Sequence, residues 1–420
     1  MRIVVVGAGP AGMAAARTAA DAGADVTMVD SEPDAGGQYL RGRAKFSHPG
    51  VTHLRNTEAW MVEGNSLHLR ATEARPAQTS RPGPPATGAA LRPGSPRLLA
   101  FDSLIIATGA YDRPLPFPGW DGPGVITAGA AQALAKQGVT LAERVIVAGT
   151  GPFLLPVAAA LHDLGATLVG VYEANSPLAW ARETKAVLAN RHKIAELARY
   201  RKVLTHLETR TAVIAKHGSR VTVAKLDRHW NPVSHRAEHA DLVCIGYGFL
   251  PRTDLVPNAK RTNDFLDVDE RQRTSVENVY AAGEVTGIGG ADLSEAEGVV
   301  AGATAAHQEP PAEAVEAVRR GRLFAEALAR THAVQPGWRT WLDADTTVCR
   351  CEKVTLEDLA DAHSMRELKL TSRVAMGRCQ GRICARNASE LTGIPFDGQR
   401  RVIAVPIPLG ELADLPEEQQ

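Results

Sequence analysis

Four of the five cysteines fall in the last quarter of the chain, Cys349 and Cys351 in CRC, Cys379 and Cys384 in CQGRIC. In an extended segment, side chains two apart point the same way, so the first pair can face one metal centre. Thr355 and Asp358 read as a capping box that opens a helix and folds the chain back between the pairs. A second helix is expected to start near Gln380, placing Cys379 and Cys384 by its N-terminus, where thiolates are favoured. Four thiolates suit structural zinc or an iron–sulfur cluster. Zinc knuckles use C-x2–4-C on both sides, and CxC departs from that, so a [2Fe–2S] cluster is the expectation and zinc the alternative. Arg350, Arg378 and Arg382 flank the cysteines. Their guanidinium groups would favour a more negative, reduced cluster; the plainer reading is surface arginines that serve solubility. Cys244, in the apolar run DLVCIGYG, reads as packed core.

The other end of the chain carries different chemistry. Gly7, Gly9 and Gly12 form GxGxxG directly after the strand Ile3–Val6 and open a small-residue helix. The first glycine permits the turn, the second lets backbone approach a pyrophosphate, and the third lets helix and strand pack closely. The helix N-terminus supplies free N–H groups for phosphate. Asp30 ends the next strand, where a carboxylate can accept from a ribose. EPDAGGQY (residues 32–39) and NVYAAGE (residues 278–284) point to FAD rather than NAD here, because FAD is longer than one βαβ unit can hold. The expected cofactor set is Gly7, Gly9, Pro10, Ala11, Gly12, Asp30, Ser31, Gly37, Gln38, Thr108, Gly109, Gly283 and Glu284.

A second unit runs from Arg144 to Glu173. Gly149 and Gly151 match the first two glycines, but Leu154 takes the place of the third. A leucine there pushes the helix from the strand and narrows the phosphate approach, while Glu173 remains placed to hold a ribose. A site for NAD(P) or another adenine nucleotide and a retained scaffold without ligand are both open. His48, His53 and the other histidines show no metal-ligand spacing.

Strands, glycine turns and helices that alternate in this way imply parallel sheets covered by helices, an α/β class with two Rossmann-like domains. The expected organisation is an FAD-binding domain at 1–118 and 266–311, an inserted NAD(P)-like domain at 119–265 and a linker helix at 312–340. A small helical [2Fe–2S] domain at 341–395 and a tail at 396–420 complete it. Residues 76–97 hold six Pro and three Gly, which predicts a flexible surface loop on a hairpin with arms at 66–72 and 97–101. The chain is 44% hydrophobic and 22% charged, with Lys+Arg and Asp+Glu both 47. That composition excludes a mostly disordered protein, and the balanced charge offers nothing to attract nucleic acid or an anionic membrane. No apolar run approaches the ~20 residues of a membrane span. With a strand at the very start leaving no room for a signal peptide, a cytoplasmic protein is expected.

The N-terminal motifs resemble two-dinucleotide-domain flavoproteins of the pyridine nucleotide–disulfide reductase type. That resemblance implies that Gly283 and Glu284 contact the FAD pyrophosphate and ribityl chain and that Thr108 and Gly109 lie beside the cofactor. The redox cysteine pair of that group is missing, so dithiol chemistry is not expected. CRCEKVT, MGRCQGRIC and RVIAVPIPLGELA, joined to that fold, resemble the FAD- and iron–sulfur-containing subunit of bacterial amine and imino-acid dehydrogenases. This is the group of opine oxidases, hydroxyproline and proline dehydrogenases and hydrogen cyanide synthase. The cysteine segment is similar to bacterioferritin-associated-ferredoxin-like domains, in which the positions of Cys349, Cys351, Cys379 and Cys384 ligate [2Fe–2S]. The resemblance implies an electron-transfer subunit in a hetero-oligomer with an FAD-containing partner of the D-amino-acid-oxidase type. A small ferredoxin-like subunit is a further candidate partner. An electron acceptor could hold the complex at the membrane periphery. The competing expectation is a self-sufficient NAD(P)H-dependent reductase of a ferredoxin-like acceptor.

Overall fold

The structure, a computed structural model, describes residues 1–72, 89–90, 98–359, 362–395 and 403–413. The Pro/Gly-rich loop expected at 76–97 lies almost wholly outside them. The chain begins β1 (Arg2–Val6), α1 (Pro10–Asp21), β2 (Asp25–Val29), β3 (Val51–Arg55), β4 (Thr57–Glu63), β5 (Ser66–Ala71), β6 (Ala89–Ala90), β7 (Leu98–Ala100) and β8 (Ser103–Ile106). It continues through β9 (Ala110–Asp112), β10 (Val125–Thr127), α2 (Ala128–Lys136), β11 (Arg144–Gly149), α3 (Leu154–Asp163) and β12 (Thr167–Glu173). Short helices α4 (Thr184–Ala189), α5 (Arg191–Leu197) and α6 (Arg201–Leu204) precede β13 (Leu207–Thr209), β14 (Thr211–His217), β15 (Arg220–Leu226), β16 (Pro232–His239) and β17 (Leu242–Gly246). Then come β18 (Phe249–Pro251), β19 (Arg261–Thr262), β20 (Phe265–Leu266), β21 (Val279–Ala281), α7 (Ala291–Ala305) and α8 (Ala312–Thr331). The last elements are β22 (Thr347–Cys349), β23 (Val354–Thr355), α9 (Met365–Ser372), α10 (Ala385–Thr392) and α11 (Leu409–Ala413).

These elements form two compact units, and the chain passes from one to the other within β9, within β18 and within α8. The first holds residues 1–110, 251–319 and the described tail. Its six-stranded sheet has the order β21-β8-β1-β2-β3-β6, every pairing parallel. Alternation along β1 sends Ile3 and Val5 to the face covered by α1 and α7, and Val4 and Val6 to a cluster with Leu67, Leu104 and Val279. Helices α1 and α7 touch backbone to backbone, because a Cβ at Gly298 or Gly302 would overlap the carbonyl oxygen of Ala11 or Ala15. The expected hairpin forms, with Ser66 opposite Ala100 and Leu67 opposite Leu99.

The second unit holds residues 111–250 and 320–397. Its parallel sheet runs β10-β17-β11-β12-β13, beside an antiparallel sheet of β14, β15 and β16. Between them lies an aromatic core in which Trp230 stacks on Trp341 at 5.9 Å and 15°. The cysteine segment has its own small core of Val348, Val354, Leu368, Val374 and Ala388. Among the described residues no helix is long and apolar enough to cross a membrane.

The structure corrects three local expectations. The CxC pair is not in an extended segment: β22 stops at Cys349, and a turn with Lys353 at φ 56° carries Cys351. Thr355 and Asp358 do hydrogen-bond at 2.8 Å, but only a short 3-10 turn, Glu357–Leu359, follows. The helix between the cysteine pairs is α9, capped by Ser364 accepting from the Glu367 N–H at 3.1 Å while Glu367 accepts from the His363 N–H at 2.8 Å. The second helix begins at Ala385, since Gln380 and Gly381 sit at φ 50° and 83°, outside any right-handed helix.

Candidate functional site

At the C-terminal ends of β1, β2, β8 and β21 the first unit forms an open cradle. Gly7 turns the chain at φ 106°, and a Cβ there would overlap the Ala107 carbonyl oxygen. A Cβ at Gly12 would overlap the Gly7 carbonyl, so helix and turn close only without one. By contrast, a Cβ at Gly9 would meet nothing within 4 Å: the space in front of it is open. Pro10 starts α1, where a missing N–H costs nothing, and the amides of Ala11 and Gly12 belong to the unpaired first turn. Asp30 accepts from the Ala8 N–H at 2.5 Å and the Glu32 N–H at 2.8 Å. Burial pushes its carboxyl up against the pull of those two amides. A carboxylate has about four acceptor positions, so roughly two are left for ribose hydroxyls.

The loop after Asp30 folds back over this cradle. The Ser31 carbonyl accepts from Thr72 Oγ1 at 3.1 Å, and Gly36 N–H donates to the Ala8 carbonyl at 2.7 Å. Gly37, at φ 55°, lies so near that a Cβ would stand 3.0 Å from Gly9 Cα; Gln38 follows it. Beyond β8, Thr108 Oγ1 donates to the Arg252 carbonyl at 2.5 Å, and Gly109 turns at φ 70° and accepts from the Arg252 N–H. Beyond β21, Gly283 at φ 83° abuts Ala11 on the first turn of α1. No described residue hydrogen-bonds to the neighbouring Glu284 carboxyl, which burial pushes up to about 7. Glu297, buried on α7, accepts from the Gly283 N–H at 2.8 Å and the Thr286 hydroxyl at 2.9 Å, and so sets the turn that carries Glu284. Sequence reasoning missed Glu297; the signal was an acid directly before Gly298 at the head of the small and apolar run 298–305.

The second cradle begins alike and ends differently. Gly149 lies against β17, where a Cβ would overlap the Gly246 carbonyl, and Gly151 at φ 104° faces open space. Helix α3 starts at Leu154, three residues after Gly151, whereas α1 starts one residue after Gly9. Buried Leu154 packs toward β17, and the amides of the helix start are drawn back. Glu173 is buried and accepts from Thr150 Oγ1 at 2.7 Å, Gly151 N–H at 2.7 Å and Asn175 N–H at 2.8 Å. His332 Nδ1 stands 3.4 Å from the same carboxylate. Burial alone would raise the Glu173 carboxyl, but His332, the Asn175 N–H and Thr150 together hold it below the usual range.

The four C-terminal thiols meet in the second unit. Cys349 and Cys384 are buried, Cys379 half-buried and Cys351 exposed. Cys384 hydrogen-bonds both Cys349 and Cys379, and Cys379 reaches Cys351. The hydrogen bond from Cys384, with the N–H groups of Glu352, Ala375 and Cys351, lowers the Cys349 thiol to about 6. The same partner, with the N–H groups of Ile383 and Gly381, lowers Cys379 to about 5. Cys384 is pushed up by these two neighbours, and burial raises Cys351. Ala375 holds a left-handed conformation at φ 64°, and a Cβ at Gly377 would overlap that of Cys351. The thiols touch as a series of pairs rather than as a shell: among the described residues no group of three or more ligating side chains is arranged to hold a metal ion.

The segment is fastened by bonds remote from sulfur. Asn387 donates to the Pro114 carbonyl at 2.9 Å, Arg113 pairs with Glu390 at 2.7 Å, and Trp120 Nε1 donates to the Thr347 carbonyl at 2.5 Å. Arg350 stacks on Trp120 at 5.2 Å, Arg382 donates to the Cys379 carbonyl at 3.3 Å, and Arg378 is exposed. Cys244 is packed in β17, where burial pushes its thiol up to about 12, so it is unreactive.

Residues 1–321 match the family described as pyridine nucleotide–disulphide oxidoreductases. An opine oxidase subunit of Rhizobium meliloti is 32% identical over 466 residues, covering 99% of this chain and 87% of that protein. Hydrogen cyanide synthase subunit HcnB of Pseudomonas aeruginosa is 32% identical over 422 residues, 91% of each. The solved structure of L-proline dehydrogenase from P. horikoshii shares the fold, with a TM-score of 0.62 over 97% of this chain and 76% of that one at 15% identity. With the glycine cradle at the head of a parallel sheet, these matches show that the chain belongs to the pyridine nucleotide–disulphide oxidoreductase family.

Proposed function

We propose that this chain is the FAD- and [2Fe–2S]-bearing electron-transfer subunit of a hetero-oligomeric dehydrogenase. Its flavoprotein partner would oxidise a C–N bond of an amine, imino acid or opine to an imine. Membership of the family implies FAD and NAD(P) binding and an oxidoreductase. Its relatives are named as subunits, which supports a hetero-oligomer. One observation carries the finer reading: an open dinucleotide cradle and four thiols linked pair by pair, two of them lowered by Cys384 and by backbone N–H groups, occur in one chain.

The first cradle fits FAD in its geometry; for the cluster it is the donor set of four cysteines that fits, since the thiols stand as pairs and not as a shell. Gly9 leaves room for a pyrophosphate, the first-turn amides of α1 face it, and Asp30 retains acceptor positions for a ribose. Glu284 is a half-buried acid without a partner among the described residues, suited to a cofactor hydroxyl. Four cysteines, three of them with backbone N–H groups aimed at their sulfurs, suit an anionic iron–sulfur centre. Bound FAD would supply two-electron exchange and the cluster one-electron exchange. Glu297 would hold the Gly283 turn in place, and the left-handed backbone at Ala375 and Gln380 would keep amides directed at the thiolates.

Metal and flavin analysis of the chain purified under argon, alone and with a co-expressed flavoprotein partner, tests the reading. About two iron and two acid-labile sulfide per chain are expected, lost in Cys379→Ser while FAD is retained. Dye reduction with amines, imino acids or opines should require the complex. A single zinc in place of iron, or oxidation of such substrates by the chain alone, would contradict the proposal.

A further inference from the structure

We infer that the second dinucleotide cradle is closed by the chain's own linker. His332, just past α8, lies against Thr150 and Glu173 and covers the acid that a nucleotide ribose would need, so this cradle takes no pyridine nucleotide. The family implies such a ligand; the residues here do not fit it.

Acceptor positions decide the matter. Oε1 of Glu173 accepts from Thr150 Oγ1 and the Asn175 N–H, and Oε2 from the Gly151 N–H. His332 Nδ1 covers the remaining side, 3.4 Å from Oε2 and 3.3 Å from the Thr150 hydroxyl oxygen that itself donates to Oε1, and a carboxylate offers about four positions. The protonation of His332 is set from its other side. Trp180 Nε1 donates to His332 Nε2 at 3.2 Å, and an indole N–H can only donate, so in the neutral ring the proton sits on Nδ1, facing Thr150 Oγ1 at 3.3 Å and Glu173 Oε2 at 3.4 Å. The Gly151 amide is also used up. It belongs to the second glycine of the motif, which elsewhere faces phosphate, and here it turns to Glu173. Asp30, at the same place in the first unit, has only two backbone donors.

The linker is held firmly where it enters the cradle. Phe324 stacks on Trp180 at 5.6 Å and 30°, and Arg330 pairs with Glu183 at 2.9 Å. Asn190 donates to the Arg320 carbonyl and Asn175 to the Ala333 carbonyl, each at 3.1 Å. A ribose would have to displace this whole attachment. The closure is independent of whatever the cysteines hold.

The test uses the FAD-loaded chain, so that the first cradle is filled. ADP-ribose is titrated by calorimetry and by tryptophan fluorescence, and NADH is added anaerobically while the flavin absorbance is followed. The wild-type chain should give no saturable signal at millimolar ADP-ribose and no rapid bleaching by NADH. His332→Ala, alone or with Thr150→Ala, should bind ADP-ribose at least about tenfold more tightly than wild type. Saturable wild-type binding weakened by Glu173→Gln, bleaching of the wild-type flavin by NADH, or variants that bind no better than wild type would overturn the inference. Should circular dichroism show that the variants do not fold, the wild-type titrations decide alone.

Discussion

Asp30 and Glu173 end equivalent strands, yet one carboxyl is raised by burial and the other is held low by its donors. Such differences are set one hydrogen bond at a time, and at Glu284 they carry over into stability. Its folded-state value of about 7 lies above the ordinary 4.5. Between those values the unfolded chain has released its proton while the folded chain keeps it, so stability falls as pH rises from 4.5 through 7. In the flavin-free chain, Glu284→Gln should remove that decline and raise stability by ~3 kcal/mol at pH 8 while changing little at pH 4, as read by urea denaturation at both pH values. The glycines of both cradles and Asp30 were legible because motif spacing encodes them directly. Glu297 and His332 were not, because each acts on a residue that only the folded chain brings near.

Among the elements, the pairing of α1 with α7 matters most to the first cradle. Gly298 and Gly302 let the two helices meet at backbone distance, and α1 is the helix whose first turn faces the cradle. Gly302→Ala would drive a Cβ into the Ala15 carbonyl and should cost ~1–3 kcal/mol, with a matching fall in retained flavin. Thermal melting and the ratio of flavin to protein absorbance measure both effects. Hydrophobic periodicity revealed the strands and α1, because those follow from alternation and from 3.6-residue spacing. It could not place the turns at Lys353, Ala375 and Gln380, where ordinary residues adopt left-handed backbone that no periodicity signals. The expected starts of helices around the cysteines failed for that reason, while the Ser364 cap and its Glu367 partner went unread.

At the scale of the whole molecule, each compact unit is assembled from separated stretches of chain. The open cradle lies wholly within the first, so FAD should stabilise that unit by mass action and leave the second unmoved. Calorimetric scans of the stripped and the reloaded chain should therefore show two transitions, only one of which shifts. Alternation of strand and helix made both parallel sheets readable from the sequence; the passage of the chain between units inside β9, β18 and α8 was not, since it interrupts continuous elements rather than loops.

The fastening of the cysteine segment by Asn387, Arg113 and Trp120 has a practical side. Because its scaffold is tied through nitrogen and oxygen, replacing all four sulfurs by serine oxygens should leave a folded twin in which flavin is the one remaining redox group. Voltammetry of the twin beside the native chain would then separate the current of one redox group from that of the other.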